Sequence, residues 1–216
     1  MATTQITPLT VNGILLHPSA VNVGDVLGFL RQHLEDKVVW DQSKYIWLLR
    51  EVMGLRCQRY FEIGVHGGSS LAAAAYCASP VHMLAGIDTF KGSGKHGTRT
   101  RARTFSDLMD LNVHDHNIAV VTGDAGDTST AAKLIPRFAP CDMLYVDADK
   151  SQGFVAKIWS MYSPHISLGG LAMFNDYAIY KGDGVRKFFD RLGVPSDFHC
   201  VGVVGRMIIF QRVQDA

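Results

Sequence analysis

An excess of charge of either sign is the first thing this 216-residue chain lacks, since 21 Lys and Arg face 20 Asp and Glu. The balance gives no global reason to expect nucleic acid or an anionic membrane surface as partner; either would need a local patch. Cysteine is scarce as well. Cys57, Cys77, Cys141 and Cys200 are far apart and form no C-x-x-C pair, which argues against a structural zinc or a disulfide framework and for a reducing compartment. No apolar run approaches the roughly 18 residues of a spanning helix, and the opening MATTQITPLTVNG lacks the basic and apolar regions of a secretory leader. These absences lead us to expect a soluble, cytoplasmic protein with neither membrane nor nucleic acid as partner. What is present is apolar, with 47% hydrophobic residues against 19% charged. That is enough for one domain, 1–216, with a sizeable core.

Along the chain, strand and helix signals alternate. After twenty irregular residues, Val23 to Glu35 and Asp41 to Met53 carry helical spacing, and we expect residues 1–56 to form an N-terminal helical cap on a core spanning 57–216. Apolar runs follow at Tyr60 to Ile63, Met83 to Ile87, Ile118 to Val121, Met143 to Val146 and Leu171 to Phe174. Separated by helical stretches, they predict right-handed crossovers and a parallel sheet covered on both faces. FHCVGVVGRMIIFQRV leaves no room for a helix between two β-rich runs, so the expected α/β fold is a doubly wound, Rossmann-like, seven-stranded, mostly parallel sheet ending in an antiparallel hairpin.

Ligands bind such sheets at the carboxyl ends of the strands, near the switch point. RYFEIGVHGGSS, Arg59 to Ser70, sits there. Gly64 lets a ligand approach the backbone, Gly67 and Gly68 supply unusual dihedrals, and Ser69 or Ser70 can cap the helix through LAAAAY. The dinucleotide fingerprint fails, because the residue two after Gly64 is His66, and GSGKHGT lacks the Ser or Thr that a phosphate loop requires after its lysine. Asp88, at the end of the second strand, can accept hydrogen bonds from both hydroxyls of a ribose, which implies a nucleoside-containing cofactor. Asp124 can accept from an adenine amino group while Ala125 offers its backbone N–H. The plain alternatives are a tight strand-to-helix turn and a solvated strand-end carboxylate.

Taken in order, these motifs resemble the class I S-adenosylmethionine-dependent methyltransferases, from about Trp40 to Arg212. DQSKYIWLLREV with YFEIGVHGGSS is similar to the small O-methyltransferases of catechols and caffeoyl-coenzyme A, whereas GIDTF and FNDY are similar to the bacterial enzymes of macrolide sugars. VDADK, Val146 to Lys150, resembles the cation-dependent branch most closely. The resemblance implies S-adenosylmethionine as cofactor, with Glu62, Gly64, Gly68, Ser69, Asp88, Asp124 and Ala125 around it. It also implies Asp147 as a metal ligand and Lys150 as the base beside an acceptor hydroxyl.

A hard divalent cation, magnesium or else calcium or manganese, would lower the pKa of that hydroxyl and fix its oxygen. Asn175 and Asp176 arrive where the family has Asp then Asn; on an extended chain that reversal changes which oxygen points inward. The expected cation ligands are therefore Asp147, Asn175 and Asp176. Their alternative role is to cap helices or bind water at the sheet edge. His66 is a second candidate base, and Tyr177 a candidate wall of the acceptor pocket. His114 and His116 read as loop residues, and Lys91 to Arg103 as a basic lid or a solvated loop.

The expected activity is methyl transfer to a hydroxyl of a small molecule, with a homodimer as a candidate assembly. A fold-sharing binding protein without chemistry and a nicotinamide-dependent oxidoreductase are the competing classes. No N/D-P-P-Y motif or polyamine-binding acidic motif follows the fourth run, which argues against nucleic-acid methylation and aminopropyl transfer.

Overall fold

The computed structural model describes residues 9–11, 14–16, 57–68, 70–71, 73–74, 83–91, 117–178, 183–204 and 206–214. Strands β1 (Leu9–Val11) and β2 (Ile14–Leu16) pair antiparallel as a separate two-stranded sheet, where the sequence led us to expect irregular chain. The helices expected over Val23 to Glu35 and Asp41 to Met53 lie outside the described residues.

The main sheet has seven strands: β3 (Arg59–Ile63), β4 (Met83–Asp88), β5 (Asn117–Thr122), β6 (Cys141–Val146), β7 (Ile166–Phe174), β8 (Phe198–Val204) and β9 (Met207–Arg212). Their order is β5-β4-β3-β6-β7-β9-β8, parallel from β5 to β7 and antiparallel at the β7–β9 and β8–β9 pairs. This is the expected Rossmann-like architecture. Helices α1 (Thr128–Phe138), α2 (Gln152–Tyr162) and α3 (Asp183–Leu192) complete the described frame.

The starts of α1 and α2 have a local cause. Asp127 precedes α1 and accepts from the Thr130 N–H at 2.8 Å and from the Ser129 hydroxyl at 2.6 Å, bonds that hold its carboxyl down at about 2. Ser151 plays the same part for α2, accepting from the Phe154 N–H.

Strand alternation explains why the apolar runs are continuous. Phe61 and Ile63 point to one face of β3 and Tyr60 and Glu62 to the other, yet all four are buried, because both faces are covered. On the first face Trp159 of α2 meets Phe174, Phe189, Phe198 and Phe210, with ring centroids between 5.0 and 5.9 Å. Phe61, Phe138 and Tyr162 stack beside it. Each buried ring contributes roughly 2–3 kcal/mol by its area removed from water.

β7 begins five residues before the apolar run that announced it. Its first half carries Gly169 at φ 80 and Gly170, beside a register shift in the pairing with β6. A Cβ on Gly170 would lie 2.9 Å from the Asp142 carbonyl oxygen, so the bulge requires glycine, and two glycines hide the strand from an apolar pattern.

Candidate active site

The chain runs outward from β3 to β4 and β5, then returns to the other side of β3 as β6. The reversal opens a crevice at the carboxyl ends of β3 and β6. Asp88 closes β4 and Asp147 follows β6, so the two stand on the strands either side of β3, roughly 10 Å apart at about 4.8 Å per strand.

Gly64 forms the floor. Its N–H donates to the Ile87 carbonyl at 2.9 Å, while the Asp147 N–H donates to the Ile63 carbonyl at 2.8 Å. A Cβ at Gly64 would lie 2.3 Å from the Asp147 carbonyl oxygen, and its φ is +97. The missing side chain therefore makes room for the backbone at 147–148, just after β6. The other unusual dihedrals fall at Gly68 and His66, with φ of 80 and 43, rather than at Gly67.

Asp88 is held from two sides. Its Oδ2 accepts from the His66 N–H at 2.8 Å and its Oδ1 from the Phe90 N–H at 2.6 Å. Each oxygen retains a second lone pair, so the carboxylate is oriented by the turn and still able to accept. The His66 side chain is exposed at the crevice mouth.

Glu62 lies beneath, at 0% exposure. Tyr60 donates to its Oε2 at 2.7 Å and Ser70 to its Oε1. Burial pushes the carboxyl up to about 8, with Asp147 and Asp88 adding to the rise. The structure thus puts Glu62 behind the crevice wall, bonded to protein. Ser69 lies outside the described residues, as do His114, His116 and 92–103 of the basic run.

After β5, Asp124 is exposed and its Oδ1 accepts from the Gly126 N–H at 2.8 Å. Ala125 is buried, its carbonyl accepting from the Tyr162 hydroxyl at 3.1 Å. Burial lifts the Tyr162 hydroxyl to about 12, so it stays a donor. The predicted adenine loop is therefore anchored to α2.

On the far side of β3, Lys150 brings the predicted acceptor-side residues together. Its ammonium bonds Asp147 Oδ1 and lies 3.6 Å from Asp176 Oδ2. Tyr145 donates to Asp147 Oδ2 at 3.2 Å. Asp149 faces away, accepting from the Ser151 N–H and hydroxyl at 2.9 Å each. Asn175 is 7% exposed and its N–H donates to the Val146 carbonyl at 3.0 Å. The extended-chain argument about the Asn-Asp order does not apply: β7 ends at Phe174, and Asp176 sits in a turn with φ 63. That turn swings its carboxylate towards Lys150, and burial raises its pKa.

The oxygen donors suit a hard cation, but Lys150 Nζ already takes the space between the two carboxylates. Among the described residues, no group of three or more His, Cys, Asp and Glu side chains is arranged to hold a metal ion. As arranged, these residues do not fit a divalent ion.

A family model described as a methyltransferase domain matches residues 61–177. The chain belongs to this methyltransferase family. The matched stretch runs from β3 to the turn after β7, and so includes every strand end described above. No curated protein matches the methyltransferase in sequence. Its fold is similar to that of the O-methyltransferase of Bacillus cereus solved with SAH, at 19% identity over 89% of this chain and 90% of that one, with a TM-score of 0.62. It is also similar to the O-methyltransferase TomG of Streptomyces achromogenes, involved in tomaymycin synthesis and solved with SAM, at 20% identity over 89% of each chain and a TM-score of 0.58. MycE of the mycinamycin pathway, solved with Mg, SAH and mycinamycin VI, aligns at 17% identity over 88% of this chain and 55% of that one, with a TM-score of 0.60.

Three tyrosines of the methyltransferase site went unread in the sequence. Tyr60 and Tyr145 each precede an acidic residue by two, the spacing that puts both side chains on one face of a strand, and Glu62 pairs with Tyr145 across β3 and β6. That period was available as a signal; Tyr162, which reaches Ala125 from a helix, left none. Tyr177, expected to line the acceptor pocket, instead donates to Asp190 Oδ1 at 2.8 Å, with Arg186 6.0 Å from its ring centre. It fastens the turn after β7 to α3. Among the described residues no helix is long and apolar enough to cross a membrane.

Proposed function

We propose that this methyltransferase moves the methyl group of S-adenosylmethionine to a hydroxyl oxygen of a small molecule. The observation that carries the reading is the division of the crevice by β3. On one side Asp88 presents a carboxylate oriented by two N–H groups; on the other stands the Asp147–Lys150–Asp176 cluster. A cofactor with a ribose at one end and a reactive methyl at the other spans that interval. The SAM- and SAH-bound O-methyltransferases of similar fold support the choice of cofactor and of oxygen as acceptor.

In this reading the spare lone pairs of Asp88 take the ribose hydroxyls, and Asp124 with Ala125 holds the adenine. The acceptor hydroxyl lies against Lys150, whose amine, once its own proton has passed to solvent, takes the hydroxyl proton as the oxygen displaces the sulfonium in line. The exposed His66 is the alternative base. Catalysis rests mostly on holding the two reacting atoms close and collinear.

Calorimetry with SAH and NAD tests the cofactor. SAH should bind native protein, and Asp88→Ala should lose that binding while keeping its melting transition; unchanged affinity would refute the ribose assignment, and preference for NAD would refute methyl transfer. Turnover is read by mass spectrometry of hydroxyl-bearing acceptors incubated with labelled S-adenosylmethionine. Lys150→Met should still bind SAH and lose about a hundredfold or more in rate.

A further inference from the structure

Lys150 stands where the sequence placed a metal. Its ammonium pairs with Asp147 Oδ1 and lies 3.6 Å from Asp176 Oδ2. The side chains are sheltered, 24% exposed for Lys150, 31% for Asp147 and 21% for Asp176, so salt and water screen the pairs less than on an open surface. The remaining Asp147 oxygen, Oδ2, is approached by the Tyr145 hydroxyl at 3.2 Å.

The lysine is also fixed from behind. The start of α3 packs so tightly on this loop that a Cβ at Gly184 would lie 2.1 Å from the Lys150 carbonyl oxygen and 2.6 Å from the Gln152 nitrogen. The next residue is tied down by the Ser151 N–H to Asp149 Oδ1 bond at 2.9 Å. The backbone of Lys150 cannot simply step away. A divalent ion would need the same carboxylate oxygens at roughly 2.0–2.6 Å, which would bring it against the ammonium, and like charges that close repel strongly.

We infer that Lys150 is the built-in cation of this rim, and that its ammonium and a divalent ion are mutually exclusive occupants of the Asp147–Asp176 pair. The inference needs only the charges and their positions. It stands whether or not the acceptor chemistry proposed above is right, because ion binding is measured without cofactor or acceptor.

Manganese binding, followed by electron paramagnetic resonance and calorimetry, tests it on native protein, Lys150→Gln, Lys150→Arg and the double variant Lys150→Gln/Asp176→Asn. Native protein and Lys150→Arg should bind manganese only as weakly as scattered surface carboxylates. Lys150→Gln should bind at least about tenfold more tightly, and adding Asp176→Asn should remove the gain. Equal affinity in native protein and Lys150→Gln would overturn the inference, as would a gain that survives Asp176→Asn. Should Lys150→Gln fail to fold, native protein still decides: micromolar manganese binding that Asp147→Asn abolishes would show the ion and the ammonium coexisting.

Discussion

Glu62 shows how much one carboxyl can reveal about its surroundings. Wholly buried, it is lifted from 4.5 to about 8, first by desolvation and then by Asp147 and Asp88, against the lowering effect of the Ser70 and Tyr60 hydroxyls. In the unfolded chain it ionises near its ordinary value, so between pH 4.5 and about 8 the native state holds the extra proton. Its contribution to stability is full below about pH 4.5 and is lost as pH climbs towards 8. Glu62→Gln should flatten that dependence, the difference between the two proteins changing by a few kcal/mol from pH 5 to pH 8. Urea unfolding at the two pH values measures it, and parallel curves would show that Glu62 ionises freely. Tyr162 makes a smaller, more local claim. Tyr162→Phe leaves the Ala125 carbonyl without its 3.1 Å donor, which should cost about 1–2 kcal/mol of stability and weaken SAH binding severalfold through the loosened 124–126 loop; calorimetry reads the second effect.

Close approaches between backbones set the elements of the site. Gly64→Ala would combine a left-handed dihedral with a Cβ 2.3 Å from the Asp147 oxygen, so a loss of about 3 kcal/mol or more is expected, with SAH binding impaired as β3 and β6 part. Thermal melts and calorimetry check both. Gly184→Ala separates the two halves of the site. Alanine should favour a helix by about 1 kcal/mol, yet here its Cβ would lie 2.1 Å from the Lys150 oxygen. The loop carrying Lys150 must shift, and with the cofactor on Asp88 and Asp124, as proposed, turnover should fall while SAH affinity stays close to native. A parallel loss of both would mean that α3 supports the whole crevice. Elements of this kind also mark the limit of what a sequence shows. Strands buried on both faces read as unbroken apolar runs, so β3, β4 and β6 were plain, and the half-buried edge strand β5 kept an apolar run of its own, but the Gly169–Gly170 bulge concealed half of β7. Strand-end position alone places Asp88 and Asp147, whereas Lys150 was legible only through the resemblance carried by VDADK. The reason for Gly64 was not, because the backbone it accommodates belongs to the loop after a strand some eighty residues later, and the tight turn that carries Asp176 to Lys150 has no letter of its own.

At the scale of the molecule, the sheet order makes a directional claim. β5, β4, β3 and β6 converge with their carboxyl ends on the crevice, while β9 and β8 continue the sheet beyond β7, away from it. A cofactor held by Asp88, Asp124 and the Gly64 floor should therefore protect amides in one contiguous band. Hydrogen exchange with saturating SAH is expected to slow most at 63–68, 88–91 and 123–126, to slow less around 147–151, and to leave the β8–β9 hairpin near its native rate. Binding of the native state alone also adds roughly 2.7 kcal/mol at a hundredfold excess over Kd, or about 5–10 °C in Tm for a domain of this size. Protection centred on β8 and β9 would place the ligand four or more strand spacings from β4, roughly 19 Å, and Asp88 could not then touch it.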